Sequence, residues 1–272
     1  MQDKAPETDV VASGVSASDV PFLRLDGISK SFGGVQALRG ASLEVRSGEV
    51  ISLVGDNGAG KSTLVKVIMG VHPPDAGTIE VEGRREEVSH PDHARHLGIE
   101  AIYQDLALVG TFDLGDNFFL GREIMRSFAG GLFKVLDKKR MRQEAQRILR
   151  EEVGIRIDQP FSPANVMSGG QRQAIAIGRA VHARARMIVM DEPMAALGVE
   201  ETERVMDIID GLRTRGLAVL LVSHNLEHVF RVTDRIAVMH RGVVSAVRHR
   251  SDVTRAEVVA LIMGAELEPA SG

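Results

Sequence analysis

The 272-residue chain carries a formal charge of −4, with 44% hydrophobic and 26% charged residues. That is ordinary for a globular protein with a substantial core, and its weakly acidic balance gives no overall pull toward nucleic acid or anionic lipid. With no cysteine, disulfides and thiolate metal sites are excluded, and no apolar run approaches the roughly 20 residues of a membrane-spanning helix.

Residues 1–20 are polar and acidic, lack the basic-then-apolar layout of a signal peptide, and are expected to form a disordered leader. Phe22–Leu25, Ser42–Val45 and Val50–Val54 read as strands, the last an unbroken apolar run suited to burial on both faces. A glycine-rich turn at 55–60 leads to a helix over Ser62–Gly70. Thr78–Val81 and Ile99–Ile102 are short strands. From about Leu114 to Glu152 the pattern turns helical, with Met141, Ala145, Ile148, Leu149 and Val153 forming an apolar stripe. Beyond it, helices are expected at Gln171–Ala183 and Glu200–Arg213. Strands are expected at Met187–Met190, Leu217–Val222, Arg235–Met239 and Val243–Ala246. Thr254 and Glu257 form a capping box ahead of a terminal helix. Alternating strands and helices predict an α/β fold with a mostly parallel sheet.

Gly55-Asp56-Asn57-Gly58-Ala59-Gly60-Lys61-Ser62-Thr63 fits the phosphate-loop pattern in its required setting, between a buried strand and a helix. Its glycines let backbone N–H groups curl around phosphates, and the helix N-terminus adds partial positive charge. Lys61 can reach terminal phosphates and the Ser62 hydroxyl can ligate Mg²⁺. The strand Met187–Met190 delivers Asp191, a second Mg²⁺ ligand, and Glu192, which can take a proton from an attacking water or orient it. Alone, Asp191-Glu192 would read as a solvated acidic turn. Beside the phosphate loop it specifies a Mg-dependent ATPase. Ser168-Gly169-Gly170-Gln171 opens another helix, and its exposed N–H groups offer an anion-binding surface.

The full constellation, phosphate loop, Tyr103-Gln104-Asp105, Ser168–Gln171, Asp191-Glu192-Pro193 and His224, resembles the ABC-type ATPases from about Phe22 to Gly264, with every motif in the family's order. The resemblance implies a P-loop NTPase core with a mostly parallel sheet, an antiparallel β subdomain and a helical insertion at about 114–165 that carries the signature motif, all within 21–272. It also implies roles. Phe32 would stack on adenine, Gln104 would touch Mg²⁺ and the attacking water, and His224 would contact the γ-phosphate. Ser168, Gly169, Gly170 and Gln171 would face the nucleotide of a second subunit in a head-to-tail homodimer. Met167, Met194 and Ala195-Ala196-Leu197-Gly198 depart from the family's usual wording, the last removing a carboxylate from the dimer contact.

The stretches Ile28–Leu38, Ile102–Leu108, Asn117–Gly121, Ala195–Val199 and Val222–Asn225 are similar to the ATP-binding subunits of bacterial monosaccharide importers, in the shorter, single-ATPase form associated with fructose-type uptake. Permease subunits in the membrane and a sugar-binding protein outside it are the implied partners, which places the chain peripherally on the inner face of the membrane. A branched-chain amino-acid importer and a non-transport ABC-type ATPase are the alternatives. The segment from Gln104 to Ser168 is too short for the coiled-coil arm of the DNA-repair relatives. His90, His93 and His96 are read as surface histidines, and Lys138-Lys139-Arg140 as a solvated helix start.

Overall fold

A computed structural model of the chain describes residues 20–128 and 133–265, so the expected leader falls outside the described residues except for Val20. The chain begins with β1 (Leu23–Phe32) and β2 (Val35–Val45), then β3 (Val50–Gly55), α1 (Lys61–Ile68), β4 (Ala76–Val81) and β5 (Arg84–Glu86). It continues through α2 (Pro91–His96), β6 (Ile99–Ile102), α3 (Leu114–Phe118), β7 (Met125–Phe128), β8 (Phe133–Leu136) and α4 (Lys138–Ile148). The last part comprises α5 (Gly169–His182), β9 (Met187–Asp191), α6 (Val199–Thr214), β10 (Ala218–Val222), α7 (Leu226–Val232), β11 (Arg235–His240), β12 (Val243–His249) and α8 (Arg255–Ile262).

The central sheet has the order β12-β11-β3-β10-β9-β6, parallel throughout except for β12 at one edge. Every residue of β3 and β10 is buried, which explains why their sequences run apolar without alternation. Each such Val, Leu or Ile contributes roughly 1.5–3 kcal/mol by leaving water. A second, antiparallel sheet, β2-β1-β4-β5, packs Leu23, Leu25 and Ile28 into the core that also holds Ile51, Leu53 and Leu64. The expected α/β fold, with its mostly parallel sheet and separate antiparallel sheet, is the one observed.

The stretch from Leu114 to Glu152 is not helical throughout. Between α3 and α4 runs an antiparallel hairpin, with Met125 opposite Leu136 and Ser127 opposite Lys134. The apolar stripe Met141–Val153 is real, and Met141, Ala145, Ile148 and Leu149 are fully buried. Its helical period does not extend back into Phe133–Leu136, whose side chains are exposed and therefore carry no face pattern to reveal a strand. Helix α5 packs on this region through Gly178, where a Cβ would stand 2.7 Å from Leu149 Cδ2 and 2.8 Å from Phe118 Cε2.

Candidate active site

Four neighbouring parallel strands end at one edge of the central sheet. Register fixes their heights: Val222 of β10 lies opposite both Asp191 of β9 and Leu53 of β3, and Met190 of β9 lies opposite Ile102 of β6. The carboxyl ends therefore release Gly55–Gly60, Ser223-His224, Asp191-Glu192 and Tyr103-Gln104 side by side, the place where open α/β sheets bind ligands. A cleft of about 660 Å³ opens there, lined by Lys61, Ser62, Thr63, Gln104, Asp191, Glu192 and His224 among others.

The loop after β3 is shaped by contact. A Cβ on Gly55 would run into the Met239 carbonyl oxygen, and one on Gly60, at φ 109°, would fall 2.8 Å from that of Ala37. Neither position admits a side chain, and the left-handed backbone at Gly60 independently favours glycine. No side chain caps α1 at Gly60, so its first-turn N–H groups remain available to an anion. Lys61 Nζ folds back to donate to the carbonyl oxygens of Gly55 at 2.7 Å and Asp56 at 3.0 Å. Burial pulls the Lys61 ammonium below its ordinary pKa, against the opposing charges of Glu192, Asp56 and Asp191.

Asp191 ends β9 half-buried. Burial, and next the charge of Glu192, push its carboxyl above the ordinary range, while Lys61 acts in the other direction. Glu192 sits at φ 51°, an uncommon backbone for a residue with a side chain, and its N–H donates to the Val222 carbonyl oxygen at 2.9 Å. Its Oε1 accepts the His224 N–H at 2.8 Å and lies 2.6 Å from His224 Nδ1. Ser223 Oγ donates to Oε2 at 3.3 Å. Two carboxylates, the Ser62 hydroxyl and the Gln104 amide line the cleft as an oxygen-rich donor set of the kind that suits a hard divalent cation.

Ser168–Gln171 lies outside this cleft. Ser168 caps α5: its Oγ accepts the Gln171 N–H at 3.3 Å, and its own N–H donates to Gln171 Oε1 at 3.0 Å. Ser168 is exposed, Gly169 half-buried and Gly170 buried. Within its own chain this terminus abuts the loop that follows Glu192, with Leu197 Cδ2 occupying the place where a Gly169 Cβ would stand.

Phe32, at the end of β1, is 44% exposed and meets His72 edge to face with ring centroids 5.0 Å apart. It does not line the cleft, but Val35, opposite it in the hairpin, does. Asn57, Gly58 and Gly60 line it too. Sequence reading missed Arg39, Arg241 and Gly242 on its wall. Arg241-Gly242 is legible as a turn between two strands, yet no spacing ties that turn to a phosphate. His93 and His96 rest their Nδ1 atoms against the carbonyls of Glu87 and Asp92, and Lys138 pairs with Asp116 at 2.7 Å.

The sequence profile of the family described as ABC transporter matches residues 38–195. A xylose/arabinose import ATP-binding protein of Sulfolobus acidocaldarius is 45% identical over 223 residues, covering 82% of this chain and 86% of that protein. A fructose import ATP-binding protein of Rhizobium meliloti is 41% identical over 251 residues, 92% and 96% of the two. Among solved structures, a nucleotide-free ATP-binding cassette from an ABC transporter superposes with a TM-score of 0.74 at 28% identity, covering 90% of this chain and 96% of that one.

Proposed function

Because the chain belongs to the ABC transporter family, whose ATP-binding members hydrolyse ATP, we propose that it is the ATP-hydrolysing subunit of a monosaccharide importer, working as a head-to-tail homodimer. The observation that supports this reading is the split of the motifs. One cleft gathers the phosphate loop, Gln104, Asp191, Glu192 and His224, and Ser168–Gln171 is not part of its lining. A signature outside the cleft of its own phosphate loop fits a role at the loop of a second copy. Twofold pairing then completes two sites at once.

In this reading the phosphate loop with Lys61 and Thr63 holds the phosphates, and Phe32, outside the cleft lining, contacts an adenine that extends beyond it past Val35. Ser62, Gln104 and Asp191 would hold Mg²⁺, which when bound offsets phosphate charge. Glu192 takes the proton of the attacking water or orients it, with Ser223 and the His224 backbone fixing its carboxylate. His224 meets the γ-phosphate. Residues 21–272 form the ATPase domain, with 114–165 as the insertion that carries the signature to the partner. No helix among the described residues is long and apolar enough to cross a membrane. Permease subunits would therefore hold the chain at the inner face, and a sugar-binding protein outside would deliver the cargo.

The sugar reading comes from the xylose/arabinose and fructose relatives. Its test is uptake in cells lacking this chain. Import of one monosaccharide should fail, and return with the wild-type chain but not with Glu192→Gln. Loss of branched-chain amino-acid uptake in its place would overturn the sugar assignment.

A further inference from the structure

Glu201 lies in the first turn of α6, at the far end of the loop that follows Glu192. The Gly198 N–H donates to Glu201 Oε2 at 3.2 Å. The same oxygen lies 3.2 Å from where a Cβ on Gly169 would stand, and the Glu201 Cβ and Cγ lie 3.4 and 3.6 Å from the corresponding point on Gly170. The side chain is therefore laid along the first turn of α5, over the two glycines that follow Ser168. We propose that Glu201 is an internal anion on the signature helix terminus, which opposes the arrival of the partner subunit's nucleotide and so sets the ATP concentration at which two chains close.

The inference rests on the shared-site reading above. The Gly198 amide, and after it the Ser168 hydroxyl, hold the Glu201 carboxyl below the ordinary carboxylate range, so it is charged at neutral pH. A helix N-terminus attracts anions through its free N–H groups and its dipole. Here one anion already belongs to the chain. An incoming γ-phosphate meets both the attraction of the α5 terminus and the repulsion of Glu201. Glu201 is thus the acidic group that the first turn of α6 presents beside Ser168.

A purely structural role makes the opposite forecast. If Glu201 only caps α6, removing its charge loosens the loop and leaves dimer closure unchanged or weaker. The two are separated in the full chain carrying Glu192→Gln, by following the dimer in sedimentation as MgATP is raised, with and without Glu201→Gln. With Glu201→Gln, half-closure should need about fivefold less ATP, the scale of one exposed like-charge contact. That gap should shrink as salt is raised, while ATP affinity of the dilute, separated chain stays the same. Glu201→Ser, which also removes the charge, should move closure in the same direction and serves if the Gln variant does not fold. An unchanged or higher ATP requirement, or a gap indifferent to salt, overturns the proposal. Failure of the Glu192→Gln chain to close at any ATP concentration would overturn the shared site and this proposal together.

Discussion

The Glu192 carboxylate accepts the backbone N–H of His224 at 2.8 Å and lies 2.6 Å from the Nδ1 of the same residue. The two residues follow adjacent strands, β9 and β10, that end at the same height, because Asp191 and Val222 are paired in the ladder. A carboxylate fixed in this way also lines the cleft that Lys61 lines. The ladder that builds the core thus also sets the Glu192 carboxylate at the cleft.

Glu192→Gln keeps the shape and the acceptor for the His224 N–H but removes the basic oxygen. ATP turnover should fall by about 100-fold or more, the usual range for a lost general base, while MgATP binding persists. Single-turnover hydrolysis beside a binding isotherm separates the two. Turnover at the wild-type rate would require another base.

Asp191 ties stability to pH with a definite sign. Its folded pKa is raised, by burial first and by Glu192 second, so the native state holds its proton to higher pH than the unfolded state does. As pH rises from the ordinary carboxylate range through the folded value, native Asp191 ionises at a cost, and this contribution to stability falls. Asp191→Asn should therefore melt higher than wild type at neutral pH without nucleotide, and the difference should vanish below the ordinary carboxylate range. The same change should remove the extra thermal stabilisation that Mg²⁺ gives to the ATP-bound chain. A variant that melts lower at neutral pH, or keeps the Mg²⁺ increment, would contradict this assignment.

Most of the central sheet could be read from the sequence because β3, β9 and β10 are covered on both faces, and short unbroken apolar runs such as Val50–Val54 fit best inside such a sheet. The phosphate loop was legible because contact forbids side chains at Gly55 and Gly60, which leaves a glycine spacing as its trace. The β7–β8 hairpin left no such trace. The exposed side chains of Phe133–Leu136 answer to no core, so neither period nor polarity marks that strand. Arg39, Arg241 and Glu201 escaped for a different reason: each reaches its place through the packing of segments distant in sequence, and each alone reads as an ordinary surface charge.

The shared site is tested most directly by mixing two disabled chains. Lys61→Ala removes the phosphate-loop ammonium and Ser168→Arg blocks the signature, and each homodimer should be inactive. In a mixed dimer, one site joins the damaged Lys61 to the damaged Ser168. The other joins an intact phosphate loop to an intact signature. Random twofold pairing makes half of the dimers mixed with one working site each, so ATPase activity of the mixture should rise toward about a quarter of wild type if the sites act independently. Coupling between sites would lower that ceiling without abolishing the rescue. A mixture no more active than its two parents, with subunit exchange demonstrated, would contradict the shared-site mechanism.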